Sequence, residues 1–137
     1  MTVALTDEGT GTLAYDITGV ASVVAAAQGS IANPFGCSVH ITEAWLLVKT
    51  QATAAGQLQI GITTAAAAAA DVWADTAMNG QTEGSLYNCF AQDPGAVTKL
   101  VPAVWTTAKY LTFSGTVASL AGFTGTLFLK VLRTPAA

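Results

Sequence analysis

Between Cys37 and Gln51 apolar and polar residues alternate. Val39 and Ile41 are interleaved with Ser38, His40 and Thr42, the period-two pattern of a strand with one buried face. The phase then changes: Ala44, Leu46 and Val48 fall on the opposite parity, while Trp45 and Leu47 continue the first. Either a bulge near Glu43 shifts the register, or the second half of the strand is covered on both faces. After the loop residues Ala54, Ala55 and Gly56, Leu58, Ile60 and Ile62 alternate with Gln57, Gln59 and Gly61, and the two strands read as a hairpin. Further on, Leu111 and Phe113 alternate with Tyr110, Thr112 and Ser114. The last strand is the clearest: Leu127, Leu129 and Val131 alternate with Phe128, Lys130 and Leu132. Shorter apolar runs at residues 20–27, 85–91 and 97–101 complete the pattern.

Turn chemistry separates these runs. Asn33, Pro34, Phe35 and Gly36 fix a turn ahead of the long strand, Asn79 and Gly80 form a turn pair, and Pro94 with Gly95 ends the run before it. Ala65 to Ala70 has helical propensity, but no large apolar residue anchors it before Val72 and Trp73, so it reads as a loop with one helical turn. Residues 1–19 are rich in Thr and Gly, with Leu13, Tyr15 and Ile17 at strand spacing, and read as a loosely structured N-terminal arm ahead of a domain at 20–137. About eight short strands, with no heptads and no repeated βα unit, predict an all-β fold, a jelly-roll-type β-sandwich. Other Greek-key sandwiches share the strand count.

Composition sharpens this picture. The chain has 137 residues, the size of one domain, and 52% of them are hydrophobic while 9% are charged. Globular domains carry about 25% charged residues. The surface is therefore clothed in Thr, Ser, Gly, Gln and Ala, and much of it is expected to lie against other subunits. A net charge of -3 with five basic residues argues against nucleic acid, which needs a Lys/Arg cluster to neutralise phosphates. All eight acids lie at or before Asp93 with Lys49 as the sole basic residue, and Lys99, Lys109, Lys130 and Arg133 follow. Interleaved strands cancel this asymmetry within one sandwich; otherwise acidic and basic edges meet between neighbouring subunits. No apolar run reaches the roughly 18 residues of a membrane span, so no membrane partner is expected. Asp7 and Glu8 stand where a secretory signal would be positive, and Cys37 and Cys89 are expected as free thiols rather than one bridge.

Reactive constellations are missing from the sequence. Metal-binding jelly rolls use several histidines, whereas His40 is alone, and Asp71, Asp75 and Glu83 are spread along a loop. Cys37 and His40 are three residues apart, which on a strand sets them on opposite faces. No nucleophile elbow, phosphate loop or CxxC motif occurs. Convergence of Asp16, Glu43 or Asp93 in space remains the one route to sugar hydrolysis. No catalytic residue, metal or cofactor is therefore expected, and the chain is not expected to be an enzyme. Trp45, Trp73 and Trp105 serve either as core or subunit-contact residues or as a platform for a sugar ring.

The segment Ile31-Ala-Asn-Pro-Phe-Gly-Cys-Ser-Val-His-Ile-Thr, an aromatic-bearing strand and then Gly56-Gln-Leu-Gln-Ile-Gly-Ile resemble small jelly-roll head proteins that decorate the capsids of tailed bacteriophages. Trp105, Tyr110-Leu-Thr-Phe-Ser-Gly and Ala121-Gly-Phe-Thr-Gly-Thr-Leu-Phe-Leu-Lys are similar to their closing strands, and the resemblance spans Ile31 to Leu132. It implies a capsid decoration (cement) protein, made in the host bacterial cytoplasm and seated as a homotrimer on the outer surface of the virion. Its partners would be itself and the phage major capsid protein. The alternative is a carbohydrate-binding head-fibre or tail module that touches the host cell. Tyr15, Phe35, Trp45, Trp73, Trp105 and Phe123 are the candidate interface residues.

Overall fold

A computed structural model describes residues 1–5, 9–19, 28–89 and 103–133. The apolar runs at 20–27 and 97–101 lie outside the described residues. Ten strands are present among the described residues: β1 (Thr2–Leu5), β2 (Thr10–Thr18), β3 (Gly29–Ala32), β4 (Val39–Thr50), β5 (Gln57–Thr63), β6 (Trp73–Ala77), β7 (Leu86–Asn88), β8 (Ala103–Trp105), β9 (Tyr110–Thr116) and β10 (Thr124–Arg133). A short 3-10 turn lies at Met78–Gly80. The strands form two antiparallel sheets. The larger runs β1-β2-β10-β4-β7, with β8 also paired to β4, and the smaller runs β3-β9-β5-β6. The protein is an all-β sandwich.

The core lies between the sheets. Leu13, Ile17, Ile41, Leu46, Leu127 and Leu129 come from the larger sheet and Leu58, Ile60 and Leu111 from the smaller, each at most 2% exposed. Trp105 caps one end, where its ring meets Phe35 edge-on at 6.2 Å and its Nε1 donates to the Lys109 carbonyl at 3.0 Å. The predicted turn at Asn33 to Gly36 holds that corner. The Asn33 Oδ1 accepts from the Phe35 N–H at 2.8 Å, its Nδ2 donates to the carbonyls of Cys37 and Trp105, and Gly36 takes a φ of 74°. Cys37 is half-buried and Cys89 buried, and no disulfide joins the two.

The phase change in the long strand is a bulge. Lys130 pairs with Glu43 and Val131 with Ile41, so Thr42 is the extra residue, and its hydroxyl donates to the Lys130 carbonyl at 3.2 Å. Val39 and Ile41 before the bulge and Ala44, Leu46 and Val48 after it then all face inward.

Two expectations are corrected. β4 and β5 are not a hairpin: β4 pairs with β10, β7 and β8, whereas β5 pairs with β9 and β6 in the opposite sheet. The connection through Gly56 crosses the sandwich, and alternation alone carries no information about which partner a strand takes. The N-terminal segment is not a loose arm either. β1 pairs with β2, and β2 pairs along its length with β10, burying Leu13 and Ile17. Its Thr- and Gly-rich composition reflects an outward face of small residues, with the inward face at Gly11, Leu13, Tyr15 and Ile17.

The alanine-rich loop makes no helix. It folds over the outer face of the smaller sheet, where the Asp71 carboxylate accepts from the Ile62 N–H at 2.9 Å. A Cβ on Gly61 would stand 2.2 Å from that carboxylate and 2.6 Å from Ala69, so the loop lies against bare backbone. Gly61→Ala should therefore lift the loop, read as faster hydrogen exchange at residues 64–71 with the rest of the sandwich protected. A second local feature is Val117, exposed and at a φ of 71°, where the Ala118 N–H closes a three-residue turn onto the Thr116 carbonyl at 2.8 Å. Relief of this left-handed conformation in Val117→Gly should stabilise the fold by about 1 kcal/mol in denaturant titration.

Candidate interaction surface

Because opposite residues of an antiparallel ladder share a face, the register of the larger sheet defines what it shows outward. Phe128, Lys130 and Leu132 of β10 alternate with the buried Leu127, Leu129 and Val131. Phe128 stands opposite Trp45, Thr126 opposite Leu47, and Leu132 opposite His40. Farther out, Leu47 faces Leu86 of β7, and His40 faces Val104 of β8. On the other flank Thr12 and Ala14 of β2 lie beside Ala4 and Thr2 of β1. Of the six exposed large hydrophobic residues among those described, Leu86 at 53%, Leu132 at 46%, Val104 at 45% and Phe128 at 39% all belong to this one face. Trp45 and Leu47 are half-buried between them.

Among the described residues, Lys130, Glu43, Lys49 and Asp16 on this face are paired within the chain. Lys130 Nζ lies 3.0 Å from Glu43 across β10 and β4, and Lys49 Nζ lies 3.3 Å from Asp16. Such exposed pairs contribute under about 1 kcal/mol each, so their consequence here is a neutral surface. The Lys130–Glu43 pair joins the basic C-terminal half to the acidic N-terminal half, and interleaving thus cancels part of the sequence asymmetry. Two shallow depressions open on the same face. One of about 430 Å³ is bounded by Ala4, Thr10, Thr12, Thr42 and Leu132, and one of about 230 Å³ by Thr2, Thr12, Ala14, Trp45 and Phe128. Lys130 lines both.

The outer face of the smaller sheet is different in kind. It shows Ser30, Gln57, Gln59, Thr63 and Thr116, and the buried Thr112 and Ser114 hydroxyls lie within hydrogen-bonding reach of Gly61 and Gln59. Among the described residues, no three His, Cys, Asp or Glu side chains gather.

The six residues singled out in the sequence separate sharply. Phe35, Trp73, Trp105 and Phe123 are buried inside the chain, the last three completely. Tyr15 faces inward and tilts against Phe113 of the opposite sheet at 5.8 Å. Trp45 alone lies on the outer face. Sequence reasoning passed over Phe128, Leu132, Leu47, Leu86 and Val104. Their signal was apolar residues out of phase with the buried set on β4 and β10.

A search of solved structures returns the same architecture in a virus particle. This chain is similar in fold to a chain of the "Capsid of Ralstonia phage GP4". The TM-score is 0.59 at 16% sequence identity, with 99% of this chain and 93% of that chain covered. The GP4 capsid chain is thus nearly the same length as this one, and the likeness runs through both sheets. No protein-family model matches the sequence, and no curated protein is similar to it.

At Asp16, the Thr126 hydroxyl donates to the carboxylate at 2.6 Å and Lys49 adds a second hydrogen bond and its charge, which together hold the carboxyl below its ordinary value. A carboxyl lowered in the folded state stabilises the fold above its unfolded value of about 3.9, and that contribution is lost as pH falls through the folded value. NMR titration should show Asp16 protonating below the range of ordinary aspartates, and Thr126→Val should return it upward.

Proposed function

We propose that this chain is a structural virion protein: a decoration protein that binds the outer surface of a tailed-phage capsid as a homotrimer and stabilises the shell. The observation that carries the reading is the likeness, over almost the whole of both chains, to a capsid chain of similar length. The sequence motifs around Asn33 to Thr42 and in the closing strands support it independently, since they resemble phage head proteins. A neutral outer face with apolar projections suits protein contact, because little ionic desolvation is needed when it is covered.

The carbohydrate alternative loses its main support. Trp73 and Trp105 are 0% exposed, which leaves Trp45 as the sole tryptophan open to a sugar ring.

Multiplicity gives such a protein its strength. If each copy holds the shell with millimolar affinity, about 4 kcal/mol, three linked copies gain steeply from effective concentration. Purified protein added to capsids lacking it should occupy regular outer positions by cryo-electron microscopy and raise the temperature at which the shells open. Half-occupancy should come at a concentration at least about 100-fold lower than for a variant held monomeric. Absence of binding, or shells no more resistant than before, refutes the reading.

A further inference from the structure

We infer that Asn79 is a self-modification site, where the backbone nitrogen of Gly80 closes on the asparagine side chain and the turn ages to aspartate and isoaspartate. The reaction needs only the chain and water. The Gly80 nitrogen gives up its proton and bonds to Asn79 Cγ, the side-chain nitrogen takes up a proton and leaves as ammonia, and a succinimide ring remains. Water then opens the ring at either carbonyl. Opening at Cγ leaves aspartate on the normal backbone. Opening at the main-chain carbonyl leaves isoaspartate, whose backbone runs through Cγ and is one atom longer. Either product takes the formal net charge of -3 one unit lower.

Asparagine is a thermolabile residue, and the structure singles out one of the three in this chain. Asn33 precedes Pro34, which has no N–H to give up, and its side chain is tied to the Phe35 N–H and to the carbonyls of Cys37 and Trp105. Asn88 is held in β7 opposite Trp45 and precedes the buried Cys89. Asn79 and Gly80 are both exposed, and a Cβ on Gly80 would meet nothing within 4 Å, so the attacking nitrogen is unshielded. No side-chain hydrogen bond caps their 3-10 turn. A lone turn of this kind has poor hydrogen-bond geometry, and the opening that the attack requires is local.

The flanks of the pair are anchored. Buried Met78 donates its N–H to the Gly56 carbonyl at 2.9 Å and accepts from the Ala52 N–H at 3.2 Å, and Gln81 Nε2 donates to the Ala77 carbonyl at 3.0 Å. Asn79 and Gly80 are thus an exposed tip whose base is tied to the connection that carries the chain from one sheet to the other. The extra backbone atom of isoaspartate has to be absorbed there. The assignment is independent of the decoration reading.

Incubation of the purified chain in warm, mildly alkaline buffer tests it, with isoelectric focusing, peptide mapping and isoaspartyl methyltransferase labelling as readouts. The peptide Ala77–Thr82 gives the unrestrained rate. Wild type is expected to gain an acidic form, converted at Asn79 and not at Asn33 or Asn88, and faster as pH rises because the attacking nitrogen must lose its proton. Gly80→Ala has room for its methyl and needs no positive φ, so it should fold and convert severalfold more slowly. Asn79→Gln, which has to close a larger ring, should slow likewise. Hydrogen exchange at residues 52–56 should quicken in the isoaspartyl form and not in Asn79→Asp, which adds the charge without the extra atom. Asn79 intact after the peptide has converted, equal conversion at Asn33 or Asn88, or equal rates in wild type and Gly80→Ala overturns the site. Exchange at 52–56 that is the same in the isoaspartyl form and Asn79→Asp overturns its coupling to the connection.

Discussion

The larger sheet depends on the insertion of β10 between β2 and β4. Nine residues of β10 pair with β2 on one side, and ten pair with β4 on the other, so the strand closest to the C-terminus among those described is the central beam of that sheet. Leu127, Leu129 and Val131 fill the core from it, while Phe128, Lys130 and Leu132 stand on the outside. The same strand thus fixes both the interior and the candidate contact face. A slip of one residue would exchange the two sets, and the bulge at Thr42 lets β4 match it without such a slip.

Neutrality is the second constraint. With few charges to keep it hydrated, the sandwich places small hydroxyl and amide side chains over the smaller sheet and sets four of the six exposed large apolar residues among those described on one side of the larger. The ion pairs beside Phe128 and Trp45 leave that side without a net field. What that side offers outward is therefore shape and apolar area rather than charge.

Local alternation was legible in the sequence, and long-range pairing was not. The inward sets on β4, β5, β9 and β10 follow directly from period two, and the phase change near Glu43 pointed to the bulge. The hairpin between β4 and β5 failed because strand order is a property of the whole fold. The N-terminal strands were hidden by composition: Thr and Gly suit an outward face as well as they suit a loose segment. Tryptophan size misled the choice of interface residues, since Trp73 and Trp105 fill the interior. The exposed apolar face was written instead in the apolar residues of the wrong parity, Phe128 and Leu132 above all.

The position of β10 has a consequence for biosynthesis. β2 and β4 emerge from the ribosome long before the segment that must lie between them, and each waits with an open hydrogen-bonding edge and an uncovered apolar side. The sandwich therefore closes only after translation has passed Arg133, and the nascent chain is most exposed to strand exchange with its neighbours on the same messenger during that interval.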